Sequence, residues 1–176
     1  MCDFCDELSP EALISRSVNT ARNENGKLFG YSTDGAGFLR TASEFGYPVK
    51  AGAITLLGTG GAAISILIAC ALEGVERIHV FYNTQSSADR IRPLITQLEE
   101  YTKKSHVPEI TLESLHDATA LDSRAQNSDL IVNATSVGMA GTDLENMSPV
   151  SNTFFLNKNA GVIDAIYNPR ETVFLK

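Results

Sequence analysis

The residues whose types and spacing could do chemistry begin with Gly58, Gly60 and Ala63. They sit in the run Ile54-Thr55-Leu56-Leu57-Gly58-Thr59-Gly60-Gly61-Ala62-Ala63. An apolar stretch stops at glycine, a glycine-rich turn follows, and residues 64–72 continue as an apolar, helix-forming pattern. Strand, tight turn and helix with G-x-G-x-x-A spacing is the arrangement that cradles a dinucleotide pyrophosphate. Gly58 lets the chain turn sharply out of the strand, Gly60 leaves bare backbone for a phosphate to approach, and Ala63 lets the helix pack close to the sheet. The amides from Gly60 through Gly61 to Ala62 would point at the phosphates, at a helix N-terminus that favours negative charge. The alternative is an ordinary glycine turn between a buried strand and a buried helix. The apolar context on both sides favours the nucleotide site.

Other reactive side chains are sparse. Cys2 and Cys5 form a C-x-x-C, which could be redox-active or half of a zinc site. No second C-x-x-C exists and His79, His106 and His116 are scattered, so two reduced thiols on one helical turn is the better reading. Cys70, among Ala and Leu, reads as core. The 176 residues suffice for one medium domain or a domain with an appendage, and the net charge of −7 disfavours a general nucleic-acid binder. No apolar run is long enough to span a membrane, and Met1 is followed by an acidic stretch without the basic start of a signal peptide. A cytoplasmic location is the expectation.

The positioning elements follow from periodicity and punctuation. Residues 1–16 read as helical pieces broken at Ser9-Pro10, with Ser9 as N-cap and Pro10 at the first helical position. Segments 17–21 and 27–31 read as a hairpin around Asn23-Glu24-Asn25-Gly26, with Gly26 at positive φ. Thr33-Asp34-Gly35 opens a helix over 36–44, ended by Gly46-Tyr47-Pro48. Strand 53–57, helix 61–73 and strand 77–82 then make a βαβ unit of the length expected for a nucleotide site. Helix 86–104, strand 107–115, helix 118–126, strand 130–133 and strand 162–166 follow. The alternation predicts an α/β fold, a Rossmann-like doubly wound parallel sheet. The front hairpin does not fit that pattern, which suggests residues 1–34 as the remnant of a second α/β domain and 35–176 as the dinucleotide-binding domain.

The second strand of the βαβ unit ends Val80-Phe81-Tyr82-Asn83-Thr84-Gln85-Ser86-Ser87. NAD sites place a carboxylate there to hold the ribose hydroxyls. None is present, and no arginine either. Arg90 lies one helical turn further on and, with Thr84, Ser86 and Ser87, could hold a 2′-phosphate; the alternative is a solvated helix charge. NADP is the expected cofactor, with NAD second.

Several segments together resemble the shikimate dehydrogenase family. They are Asp6-Glu7-Leu8-Ser9-Pro10, Ser17-Val18-Asn19-Thr20, the run from Gly26 to Gly35, the glycine turn, Asn133-Ala134-Thr135-Ser136-Val137-Gly138-Met139, and Asp164-Ala165-Ile166-Tyr167-Asn168-Pro169. Their order and spacing hold over nearly the whole chain. The resemblance implies NADPH-dependent, reversible reduction of 3-dehydroshikimate to shikimate in aromatic biosynthesis, with a lysine–aspartate pair handling the proton at the ketone oxygen. It implies Asp34 as the catalytic aspartate, Asn19, Asp34 and Tyr167 at the substrate, Asn83 and Thr84 at the adenosine end, and Thr135 and Met139 beside the nicotinamide. Read from the residues alone, Asp34 could equally N-cap the helix that follows it.

The departures from the family pattern carry expectations too. The family's lysine precedes the segment matching Asp6 to Pro10, whereas the first lysine here is Lys27, inside the hairpin. Ser32 stands where the family has asparagine, Tyr82-Asn83-Thr84 lacks the family's arginine, and the family's later helices lie beyond Lys176. The 176 residues by themselves are therefore expected to turn over poorly. The alternatives are a non-catalytic dinucleotide-binding module or an NAD-preferring quinate/shikimate dehydrogenase. Exposed apolar faces on the front hairpin and helix would favour self-association into a homo-oligomer.

Overall fold

The computed structural model describes residues 1–47, 49–103, 105–150 and 159–176. Strands β4 (Ala53–Leu57), β5 (Arg77–Tyr82), β6 (Glu109–Ser114), β7 (Leu130–Asn133) and β8 (Gly161–Asp164) form a parallel sheet in the order β6-β5-β4-β7-β8. This is the Rossmann-like, doubly wound arrangement. Chain order runs outward from β4 on one side and then restarts beside β4 on the other, so the crevice at the carboxyl ends opens over β4.

Alternation along β4 assigns the two faces. Ile54 and Leu56 join α2 (Asp34–Glu44), α3 (Gly61–Glu73) and α4 (Gln85–Thr102) in one apolar cluster. Leu57, with Phe81 and Ile131, packs against α5 (Ala118–Gln126) and Phe174 on the other face. Cys70 is fully buried in the first cluster, where burial raises its thiol pKa far above the ordinary value, as expected of a core thiol. Two buried polar side chains of the sheet, Thr55 and His79, have polar partners. Thr55 Oγ1 and Ser128 Oγ lie 2.8 Å apart, and His79 Nδ1 lies 2.9 Å from Thr111 Oγ1.

The amino-terminal segment forms its own three-stranded sheet, β1 (Glu7–Leu8), β2 (Thr20–Glu24) and β3 (Lys27–Tyr31), in the order β1-β3-β2. The hairpin is present but shifted: β2 runs to Glu24, and Asn25 and Gly26, both at positive φ, make a two-residue turn. A helical start is not observed beyond a three-residue turn at Cys2–Phe4, because Glu7 and Leu8 pair in parallel with Phe29 and Gly30. Cys5 accordingly lies in extended backbone after that turn; the three cysteines are free and, among the described residues, none joins a metal-binding group. Helix α1 (Pro10–Ser15) begins as its sequence requires, with Ser9 Oγ accepting from Ala12 N at 3.2 Å.

Other bounds move modestly. Strand β6 is shorter than 107–115, β8 starts and ends earlier than 162–166, and α4 spans Gln85–Thr102, with Lys104 outside the described residues. All five residues of β2, Thr20, Ala21, Arg22, Asn23 and Glu24, are exposed, and Ala21 is the apolar one among them. Large exposed apolar side chains on the front segment include Phe4 and, on the front helix α1, Leu13; Phe45 follows α2. Among the described residues no helix is long and apolar enough to cross a membrane.

Candidate functional site

The glycine turn is held from both sides. Gly58 N donates to Phe81 O and Ala134 N donates to Leu57 O, each at 2.8 Å. Gly58 has φ +112°, and a Cβ there would stand 2.7 Å from Ala134 O. Only glycine fits on both counts. Thr59 is buried, and Gly60 is the N-cap of α3 with no side-chain cap. Helix α3 thus starts with first-turn amides that no side chain satisfies, and a Cβ on Gly60 or Gly61 would meet nothing within 4 Å. Bare backbone, unsatisfied donors and the positive helix end meet at one point, which is what an anionic ligand needs. Ala63 is fully buried against the core, in the role its small size suggested.

This turn floors a cleft of about 760 Å³. Of the residues expected at a cofactor, Gly58, Thr59, Gly60, Asn83, Thr84 and Thr135 line it. Gly61 and Ala62 lie just beyond, at the exposed start of α3. Arg90 and Met139 are exposed and do not line the cleft, and among the described residues Arg90 makes no ion pair. At the β5–α4 turn, Thr84 Oγ1 accepts from Ser87 N at 3.3 Å and Ser87 Oγ donates to Thr84 O at 2.8 Å, so this helix start caps itself. His116, which the sequence reading left aside, also lines the cleft, with Nε2 donating to Asn83 O at 3.1 Å. Its signal was position: it follows β6, the neighbour of β5, which ends at Tyr82 just before Asn83.

The wall opposite is set by a buried polar network. Asn133, fully buried, donates from Nδ2 to Val137 O at 3.1 Å and to Asp164 Oδ1 at 3.0 Å. Its Oδ1 accepts from Thr135 N at 3.0 Å and Thr135 Oγ1 at 2.7 Å. Asp164 also accepts from Ile166 N at 2.9 Å and from Thr172 Oγ1 at 2.6 Å. Asp164 and Thr172 are thus positioning residues for the loop carrying Thr135, through contacts that span the chain.

Asp34 and Asn19 meet at the end of the small sheet. Asn19 Nδ2 donates to Asp34 Oδ1 at 2.8 Å, while Asn19 Oδ1 accepts from Thr33 N and from Thr20 Oγ1, both at 3.1 Å. Asp34 is not the N-cap of α2: Thr33 holds that position and Asp34 is the first helical residue. Its carboxylate accepts from Asn19, and α2 has no side-chain cap bond. Lys27 sits at the turn end of the hairpin, four residues from Tyr31 and so about 13 Å along the strand. Among the described residues its ion pair is with Glu7 at 3.8 Å, and Asp34 has none. Tyr167 is 91% exposed.

Fold and site together define a Rossmann-like α/β class, with an uncapped helix start and a cleft over the central strand, the arrangement that suits an anionic ligand. Comparison with known proteins makes this particular. The chain is 43% identical over 173 residues to the NADP(+) shikimate dehydrogenase of Streptococcus pneumoniae, covering 98% of this chain and 57% of that protein. The shikimate 5-dehydrogenase of Listeria monocytogenes, solved with shikimate and NAD, superposes with a TM-score of 0.87 at 30% identity, over 99% of this chain and 58% of that one. A shikimate dehydrogenase solved with NADP+ gives a TM-score of 0.78 at 30% identity, over 99% and 56%. No family model matches the sequence. The chain resembles the shikimate dehydrogenase family over nearly its whole length, and it spans a little over half the length of the curated relatives it matches.

Proposed function

We propose that this chain is the dinucleotide-binding part of a shikimate dehydrogenase, carrying Asp34 and Asn19 of the substrate side. Residues 1–34 would belong to the substrate domain and 35–176 to the NADP domain. The observation that carries the reading is the uncapped start of α3 facing the cleft, with Gly58 pinned between Phe81 O and Ala134 O. Gly58, Thr59, Gly60, Gly61 and Ala62 would hold the pyrophosphate, Asn83, Thr84 and Arg90 the adenosine end, and Thr135 and Met139 the nicotinamide end. When bound, NADP supplies or accepts the hydride. The relatives' own cofactors, NADP(+) in the pneumococcal enzyme and NAD in the Listeria complex, support a nicotinamide dinucleotide here.

On the substrate side, the Asn19 amide donates to Asp34 and so fixes the carboxylate's orientation, leaving Asp34 Oδ2 to accept from a substrate hydroxyl or a lysine. Tyr167, exposed, would contact 3-dehydroshikimate or shikimate. Among the described residues no lysine pairs with Asp34, and Lys27, the first lysine of the sequence, is at the far end of the hairpin with Glu7. We therefore expect dinucleotide binding from the 176-residue polypeptide but little turnover. Shikimate oxidation by NADP, followed at 340 nm, tests this, and turnover typical of enzymes would overturn it. In a form of the protein that does turn over, Asp34→Asn should lower kcat by 100-fold or more, the size of a general acid–base contribution, while leaving NADP affinity within about twofold. Loss of NADP affinity would instead assign Asp34 a structural role.

A second reading, a dinucleotide-binding module without catalysis, is favoured by the absence of an ion-pair partner for Asp34 among the described residues. Calorimetric titration with NADP and with NAD separates the readings from an inert fold. Preference for NAD would select the quinate/shikimate type of site. Self-association would involve Phe4, Leu13 and Phe45, and no nucleic-acid partner is proposed for a chain of net charge −7.

A further inference from the structure

We propose that His116 selects the cofactor at its adenosine end, its imidazolium pairing with a ribose 2′-phosphate; this rests on the dinucleotide reading above. Among the described residues that line the cleft, His116 is the one side chain able to carry charge. Among the described lining residues there is no carboxylate to prefer a free ribose diol, and no arginine or lysine to hold a phosphate. His116 follows β6 and bonds the backbone at Asn83, the residue just after β5, the strand at whose end such folds hold the adenosine ribose. A carbonyl can only accept, so Nε2 carries a proton and its bond to Asn83 O sets the ring plane in either charge state. Among the described residues Nδ1 has no protein partner, which leaves it for a ligand.

Of the groups that the sequence suggested for the phosphate, two hydroxyls are engaged at the start of α4 and Arg90 is exposed outside the cleft. Thr84 Oγ1 and Ser87 Oγ close the cap of α4 on each other. The charged groups on adjoining elements do not line the cleft. Asp117 Oδ1 accepts from Ala120 N at 3.0 Å, Asp89 Oδ1 accepts from Gln85 Nε2 at 2.8 Å and faces Arg92 Nε at 3.9 Å, and Arg90 lies beyond on α4. A 2′-phosphate arriving beside His116 would favour the doubly protonated ring, so NADP binding takes up a proton at that ring and NAD binding does not.

The test is calorimetric titration of the 176-residue protein with NADP and, separately, NAD, in two buffers of different ionisation enthalpy near pH 7. Wild type and His116→Gln are compared, the glutamine amide keeping a donor for Asn83 O. Expected are proton uptake on NADP binding in wild type that exceeds the uptake in H116Q, NADP affinity about tenfold weaker in H116Q, and NAD affinity within about twofold, as for loss of one hydrogen bond to a charged group. The phosphate itself titrates near neutrality, so uptake equal in both proteins would belong to the ligand and overturn the assignment. Equal weakening of NADP and NAD would make His116 a merely structural prop and also overturn it. Failure of both dinucleotides to bind wild type would overturn the dinucleotide reading, and this inference with it.

Discussion

At Gly58 a single residue decides whether the site exists. Its φ of +112° is a conformation that L side chains rarely adopt, and an added Cβ would press on Ala134 O at 2.7 Å. Both effects act on backbone that cannot retreat, because Gly58 N and Ala134 N are each tied across strands. Gly58→Ala is expected to cost about 1–3 kcal/mol of stability and to abolish measurable NADP binding. Urea denaturation with dinucleotide titration on the same preparation checks this. Gly60→Ala, with nothing within 4 Å of the new Cβ, should keep stability and lose affinity, since the methyl occupies the ligand's space rather than the protein's.

At the level of elements, helix approach and strand burial set the tolerances. Helix α2 crosses α3 at Gly35, where a Cβ would lie 2.3 Å from Ser65 O and 2.6 Å from Ala69 Cβ. Gly35→Ala should force the helices apart, lowering stability by about 1–3 kcal/mol in urea melts, as overpacking does. Gly37→Ala, two residues along and facing open space, should be neutral or slightly stabilising through its better helix propensity.

Strand β5 supplies a pH dependence. His79 is 2% exposed, and its pKa is lowered from 6.5, first by burial and then by Arg124. The neutral ring folds and the unfolded ring binds a proton below that value, so its stabilising share is complete above pH 6.5 and falls as the pH drops below it. Urea midpoints should therefore fall between pH 7.5 and 5.5, with a shallower fall in His79→Gln; equal slopes would remove His79 as the cause.

For the whole molecule, the proposed function has a thermodynamic signature that does not require turnover. A ligand that binds only the folded chain stabilises it by about 2.7 kcal/mol at 100 times its Kd. NADP should raise the Tm progressively with concentration, and shikimate alone should raise it less, because the described substrate-side contacts are confined to Asn19, Asp34 and their neighbours. A Tm unmoved by NADP at millimolar concentration would leave a fold without the site.

The amino-acid sequence by itself determined the parts that depend on near neighbours. Apolar strands, the G-x-G-x-x-A turn and Ser9 capping α1 are local consequences of side-chain type, and the order of β4, α3 and β5 follows from their spacing. Asp34 and Asn19 were named from the family resemblance, yet only the fold brought them to 2.8 Å. Tertiary structure also decided that Glu7 and Leu8 form a strand rather than a helix, since their partners Phe29 and Gly30 lie more than twenty residues on. It joined Asn133 to Asp164 and Thr172, and it brought His116 rather than Arg90 to the cleft. In each case the deciding contact spans distant sequence. Periodicity and local propensity report which face a residue presents, but not what the rest of the chain brings to meet it.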